Sequence, residues 1–202
     1  MKIGFDIDNT LIDYSPSIRS AASDIFGLEM PSGVSKAQAI DLLKREVGLS
    51  AWTELQGYVY AEYAMFATPF ANALQSLRTV IQMGMVVHLV SHKSSYPASN
   101  RKVNLRDWAI TMLDTTGILD EVVTRQQLAG DSIHLCETFE DKIKTIENLK
   151  FDIFVDDLVD VLTRLDRNLQ RIHIFCDAQH DFIPGLACVS NWNEVMTLIT
   201  RH

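Results

Sequence analysis

The chain has 202 residues, 47% of them hydrophobic and 22% charged, enough for one ordinary domain plus a smaller insert and too apolar for a disordered chain. Its formal net charge of −8 argues against broad binding to nucleic acid or to an anionic membrane, since both need a basic surface. A small anionic substrate stays open, because a bound cation can reverse the local field of a site.

The chain begins Met1-Lys2-Ile3-Gly4-Phe5-Asp6-Ile7-Asp8. Two carboxylates stand where a secretory signal needs its apolar stretch, so no signal is expected. The longest apolar run, Met83 to Val90, is too short to cross a bilayer. Cys136, Cys176 and Cys188 are an odd set with no close pairing, which reads as reduced thiols in a cytoplasmic protein rather than a disulfide or zinc site.

Short β-rich runs recur along the chain. Ile3–Ile7 ends in carboxylates, Met85–Val90 ends in Ser91-His92-Lys93, and a weaker run covers Glu121–Thr124. Phe151–Val155 ends in Asp156-Asp157, and Arg171–Phe175 ends in Cys176-Asp177. Such runs look like buried parallel strands. Helical patterns separate the later ones, over 104–116, 140–149 and 158–165, and a last helix covers 192–199. This alternation predicts an α/β fold, a Rossmann-like parallel sheet with right-handed crossovers.

The interval from 14 to 75 breaks the rhythm. It carries amphipathic segments at 17–26, 36–47 and 52–66, punctuated by Pro16, Pro31-Ser32-Gly33 and Thr68-Pro69. It is too long for a βα loop and is expected to be a small helical cap (14–75) on a core of 1–13 and 76–202.

Ligands in open α/β sheets bind outside the carboxyl ends of the strands. Asp6 and Asp8 are two apart, so on a strand they point the same way. One can attack phosphorus while the other moves a proton; equally, Asp8 or Asn9 can serve as a turn cap. Ser91 can bond a phosphoryl oxygen or simply cap a turn. Lys142 can offset clustered carboxylates or simply be solvated. Asp156-Asp157, with Asp160 a helical turn later, are costly near a buried strand end unless paired or metal-bound. Their hard oxygens suit magnesium.

The order Asp6-Ile7-Asp8-Asn9-Thr10, Val90-Ser91, Lys142 and Val155-Asp156-Asp157 resembles the four motifs of the haloacid dehalogenase (HAD) superfamily. The resemblance spans nearly the whole chain and likens the helical interval to that superfamily's first type of cap. It implies Asp6 as nucleophile, Asp8 as acid/base oriented by Thr10, Ser91 as a phosphoryl ligand and Lys142 as charge neutraliser. It also implies magnesium on Asp6, the Asp8 carbonyl, Asp156 and Asp157.

An aspartate at position 8 implies phosphoester hydrolysis rather than dehalogenation or phosphonate cleavage. The expected substrate is a small phosphorylated metabolite, met by Asn9, Thr10, His92 and Lys93. Arg19, Tyr14, Tyr96, Arg101 and Lys102 border the expected site, where a solvated surface role competes with recognition. Trp52, Tyr58 and Tyr63 read as packing.

Two other classes compete. One is a non-catalytic HAD-like module that binds a phosphorylated ligand. The other is a phospho-acceptor signalling domain, which needs its acceptor at the end of the third strand, where this sequence places Thr124-Arg125.

Overall fold

A computed structural model describes residues 1–99, 101–126, 132–176 and 183–201. Strand β1 (Lys2–Phe5) leads through a tight turn to β2 (Ile12–Asp13), helices α1 (Ser15–Phe26), α2 (Lys36–Glu46) and α3 (Ala51–Val59), and a 3₁₀ turn (Glu62–Phe66). Strand β3 (Thr68–Pro69) pairs antiparallel with β2, so the helical interval leaves and re-enters through one two-stranded ribbon. The chain continues through α4 (Ala73–Gln82), β4 (Val86–His92), α5 (Leu105–Thr115), a π-helical turn (Asp120–Thr124) and β5 (Ile133–Cys136). It ends with α6 (Phe139–Leu149), β6 (Ile153–Asp156), α7 (Val159–Arg164), β7 (Gln170–Ile174), β8 (Ala187–Val189) and α8 (Trp192–Ile199).

The six longer strands form one parallel sheet in the order β5-β4-β1-β6-β7-β8. β1 lies between β4 and β6, so connections leave it in both directions, the topology that opens a crevice at the strand ends. Alternation along the strands divides the core between two faces. Ile3, Phe5, Ile153 and Val155 pack in one cluster with Leu89 and Trp192, whereas Phe154, Val90 and Phe151 belong to the other. Gly4 faces this second cluster, and a Cβ there would lie 2.5 Å from the Phe154 ring. The first cluster extends into the helical interval through Ile18, Ala21, Leu43 and Leu55. No helix among the described residues is long and apolar enough to cross a membrane.

The sequence-based expectations hold for most elements and fail at three. Residues 121–124 are a π-helical turn, not a strand. Glu121 is buried there and pairs with Arg78 at 2.7 Å and Arg125 at 2.9 Å, and the Glu121–Arg125 spacing suits helical geometry. The strand itself is Ile133–Cys136, whose short IHLC run lacks a marked β pattern. The second failure is β8, only three residues long.

The third concerns the cysteines. Cys176 and Cys188 form a disulfide with Cα atoms 5.8 Å apart, leaving Cys136 free and buried. Their separation of twelve residues conceals that β7 and β8 run side by side and bring them together.

Candidate active site

The turn after β1 positions the first acids. Asp6 continues the ladder, its amide donating to the Val155 carbonyl at 2.9 Å. The Leu11 and Ile12 amides both donate to the Ile7 carbonyl at 3.0 Å, and the Asn9 amide donates to the Ile12 carbonyl at 2.7 Å. Closing so tight a loop places Asn9 in the left-handed region (φ 62°), which asparagine tolerates better than most residues. Trp192 of α8 clamps the turn from below, its indole N–H donating to the Thr10 carbonyl at 3.1 Å.

Asp6 is nearly buried and held on both oxygens. Lys142 Nζ donates to Asp6 Oδ1 at 2.7 Å and to Asp156 Oδ2 at 2.7 Å. Thr10 Oγ1 donates to Asp6 Oδ2 at 3.1 Å and accepts from the Asp157 amide at 3.1 Å. Thr10 therefore orients Asp6 and the β6–α7 turn, not Asp8 as the resemblance implied. Burial works to lower the pKa of the Lys142 ammonium, but Asp156 and Asp6 more than offset it and hold it above the ordinary lysine range.

Ligand oxygens from Asp6, Asp156 and Asp157 lie within 4.8 Å of one another. Burial pushes the Asp156 carboxyl up, against Lys142. Asp157 is also pushed up by burial and by Asp6 and Asp156, with Lys36 opposing. Hard carboxylate oxygens clustered in this way are a donor set that fits a small divalent cation such as magnesium. Asp160 is exposed and lies outside this set.

Asp8 faces the same cavity as Asp6. Lys93 forms an ion pair with Asp8 Oδ2, while the buried Asp8 Oδ1 makes no hydrogen bond of ordinary geometry to any described residue. Lys93 is itself buried, lies 4.1 Å above the centre of the Tyr60 ring, and continues the β4–β5 ladder by donating its amide to Cys136 at 2.8 Å. Tyr14 is buried against Tyr60, ring centres 4.8 Å apart. Burial pushes its hydroxyl well above the usual range, and the neighbouring Asp8 charge adds to this.

The cavity, about 220 Å³, is also lined by Ser91, His92, Ser94, Lys142 and Asp157 from the core side, and by Lys36, Trp52, Gln56 and Tyr60 from the cap. Of the residues expected from sequence, the structure gathers Asp6, Asp8, Ser91, His92, Lys93, Lys142 and Asp157 around it, with Asp156 buried beneath.

Thr10 is fully buried and does not line the cavity. Asn9 lines a neighbouring cavity of about 550 Å³, together with Lys36, Phe70 and Phe175, and its buried amide makes no hydrogen bond of ordinary geometry to any described residue. Arg101 pairs with Glu62 and stacks 3.6 Å from the centre of the Tyr58 ring, so it is fastened to α3 and the 3₁₀ turn that follows it. Tyr96 and Lys102 are exposed, and Arg19 does not line the cavity. Tyr63 donates to Asp24 at 3.0 Å.

Sequence reasoning missed Lys36, Gln56 and Tyr60, and read Trp52 as packing. The signal that could have found Lys36 is its place as first residue of a capped helix, where a cation meets the positive end of the helix dipole. Burial works to lower the Lys36 pKa, but Tyr60, Asp157, Asp8 and Asp6 outweigh it and hold the ammonium above its usual range. Burial pushes the Tyr60 hydroxyl up to about 12, with Lys36 opposing.

No family model matches the chain, and no curated protein matches it by sequence. Solved structures do match in fold. A predicted phosphatase from Clostridium acetobutylicum superposes with a TM-score of 0.63 at 13% identity, covering 100% of this chain and 98% of that one. A HAD family hydrolase from Deinococcus radiodurans, with bound phosphate and sodium, gives 0.60 at 13% identity over 99% and 95%. Protein tyrosine kinase A of Mycobacterium tuberculosis gives 0.62 at 16% identity over 98% and 97%. The fold is that of the HAD-like hydrolases, a Rossmann-like core with a helical insertion after the first strand.

Proposed function

We propose that this protein is a phosphatase that hydrolyses a small phosphomonoester through an aspartyl phosphate on Asp6. The observation that carries the reading is the state of Asp6, a carboxylate fixed by Lys142 and Thr10 beside Asp8 in one cavity. HAD-fold neighbours named as hydrolases and phosphatases support the same reading.

Asp6 attacks phosphorus as the ester oxygen departs. Asp8 gives that oxygen its proton, leaving an alcohol and an acyl phosphate. In the second half, Asp8 takes a proton from water as the water attacks phosphorus, which restores the Asp6 carboxylate and releases phosphate. Asp8 Oδ1, which makes no hydrogen bond of ordinary geometry to a described residue, is the atom available for that proton. Ser91, at the end of β4, donates to a phosphoryl oxygen, and Lys142 offsets the negative charge gathered on Asp6 and the phosphoryl group.

Asp6, Asp156 and Asp157, with the Asp8 carbonyl, are the groups that would hold magnesium. When bound, the ion would draw phosphate and carboxylate together and stabilise charge on the transferring group.

The test is release of phosphate from a panel of sugar phosphates, nucleotides and small phospho-acids under magnesium. Wild-type protein turns over at least one of them, and Asp6→Asn turns over none. A wild-type protein inert toward the whole panel, yet able to bind its members, is instead the phosphate-binding module.

A further inference from the structure

Three lysines surround the acids, and two of them are engaged. Lys142 bridges Asp6 and Asp156, and Lys93 is paired with Asp8. Lys36 makes no hydrogen bond, and no ion pair within 4.0 Å, to any described residue, although it lines the catalytic cavity from the cap side.

Local stability does not account for a lysine there. Lys36 opens α2 directly after the Ser35 cap, in a first turn with no acidic residue, the end of a helix where a positive charge is disfavoured. A residue that breaks a local preference without a local gain is a candidate for function. The ammonium also stands where the catalytic cavity meets the neighbouring one, since Lys36, Asp157 and Leu158 line both.

The cavity thus has two poles. The core side carries Asp6, Asp8, Ser91 and Lys142, which act on the phosphoryl group. The cap side carries Lys36 with Trp52 and Gln56, which face whatever the phosphoryl group is attached to. A volume of about 220 Å³ lies below the usual range for drug-sized ligands and suits a leaving group of a few heavy atoms.

We propose that Lys36 anchors a second anionic group on the leaving group, so that the substrate is a small phosphomonoester bearing a carboxylate or a second phosphate. The inference rests on the phosphatase reading and narrows it to a substrate class.

Three esters separate the possibilities: glycerol 3-phosphate with a neutral leaving group, 3-phosphoglycerate with a carboxylate, and propane-1,3-diol bisphosphate with a second phosphate. Wild-type protein and Lys36→Met are compared by kcat/KM on each, with magnesium affinity read from thermal shifts. The expected result is a loss of roughly 10- to 100-fold, the worth of a charged hydrogen bond, carried mainly by KM. It falls on whichever anionic ester the wild type prefers, with glycerol 3-phosphate little changed and Lys36→Arg restoring part of the loss.

An equal loss on all three esters, or weakened magnesium binding, would make Lys36 a mere counter-charge for Asp157 and overturn the proposal. If the wild type hydrolyses none of the three, the phosphatase reading fails for them. The same comparison is then made by calorimetric binding, where equal affinities of wild type and Lys36→Met for all three esters would overturn the role of Lys36.

Discussion

The floor and the roof of the cavity are built on different terms. On the floor, Asp6, Asp156, Lys142 and Thr10 hold one another through bonds of 2.7 to 3.1 Å, supported by buried strands. On the roof, Lys36 has no ion-pair partner among the described residues, and Trp52 is half-exposed. The floor is organised before a ligand arrives, as chemistry requires. On the roof, Lys36 feels the charges of Asp157, Asp8 and Asp6 without a direct bond to them, as the proposed recognition would require. Substitutions on the floor should therefore change rate or folding, and those on the roof and its mountings should change substrate affinity.

After the abolition expected for Asp6→Asn, the largest effect is expected at Asp8. Asp8→Asn should lower kcat by about 10²- to 10⁴-fold, the usual worth of acid–base catalysis. Because the variant cannot deprotonate water, phosphate should accumulate on Asp6 and be visible by intact-protein mass spectrometry after quenching. Full activity in this variant would remove Asp8 from the mechanism and leave the floor with one catalytic acid.

Next is Lys142→Met, which strands Asp6 and Asp156 without their counter-charge. Breaking a buried pair in this way costs about 3–5 kcal/mol, to be measured by urea unfolding without divalent ions. Magnesium should return part of that stability. A loss below about 1 kcal/mol, the worth of a surface pair, would mean that the floor is not electrostatically organised.

Intermediate in size is the pH dependence of magnesium stabilisation. The Asp157 carboxyl is raised in the folded protein by burial and by its acidic neighbours, so the metal-free fold holds a proton that the unfolded chain has released. Stability from this group is present at low pH and is lost as pH rises past the ordinary carboxylate range near 4. Magnesium needs the ionised ligands, so its effect on Tm should be small at pH 5 and larger at pH 8. The opposite slope would argue against metal on these acids.

The smallest effect tests the roof's mounting. A Cβ on Gly57 would lie 2.8 Å from Ser99 Oγ, where α3 meets the 93–104 loop. Gly57→Ala should cost about 1–3 kcal/mol by overpacking and raise KM more than it lowers kcat. A kcat loss without a KM change would couple roof to floor more tightly than the comparison allows.

The sequence made the floor legible and the roof obscure, for a physical reason. Strand ends announce themselves, because apolar runs such as Phe151–Val155 stop at charged pairs, and strand periodicity fixes which acids share a face. Roof residues carry no such mark. Whether Trp52 or Tyr60 faces a cavity or a neighbouring helix depends on how the cap sits over the sheet, which is not encoded in spacing. The Cys176–Cys188 pairing was hidden because it depends on β8, a strand too short to be read. The strand expected at 121–124 failed because a buried Glu121 served by two arginines has the same sequence signature as an exposed one.

Trp192 gives the turn that carries Asp6 and Asp8 a dependence on order in time. Its indole holds the Thr10 carbonyl across a separation of 182 residues, and Lys142 reaches Asp6 across 136. A ribosome making this protein releases Asp6 and Asp8 long before the parts that shape them. Until α8 has emerged and docked, the turn lacks its clamp, and the acids that would handle phosphate belong to a loop still free to move. Setting the turn thus waits for α8, and a chain interrupted before Trp192 would carry every side chain proposed for catalysis without the support that sets the turn.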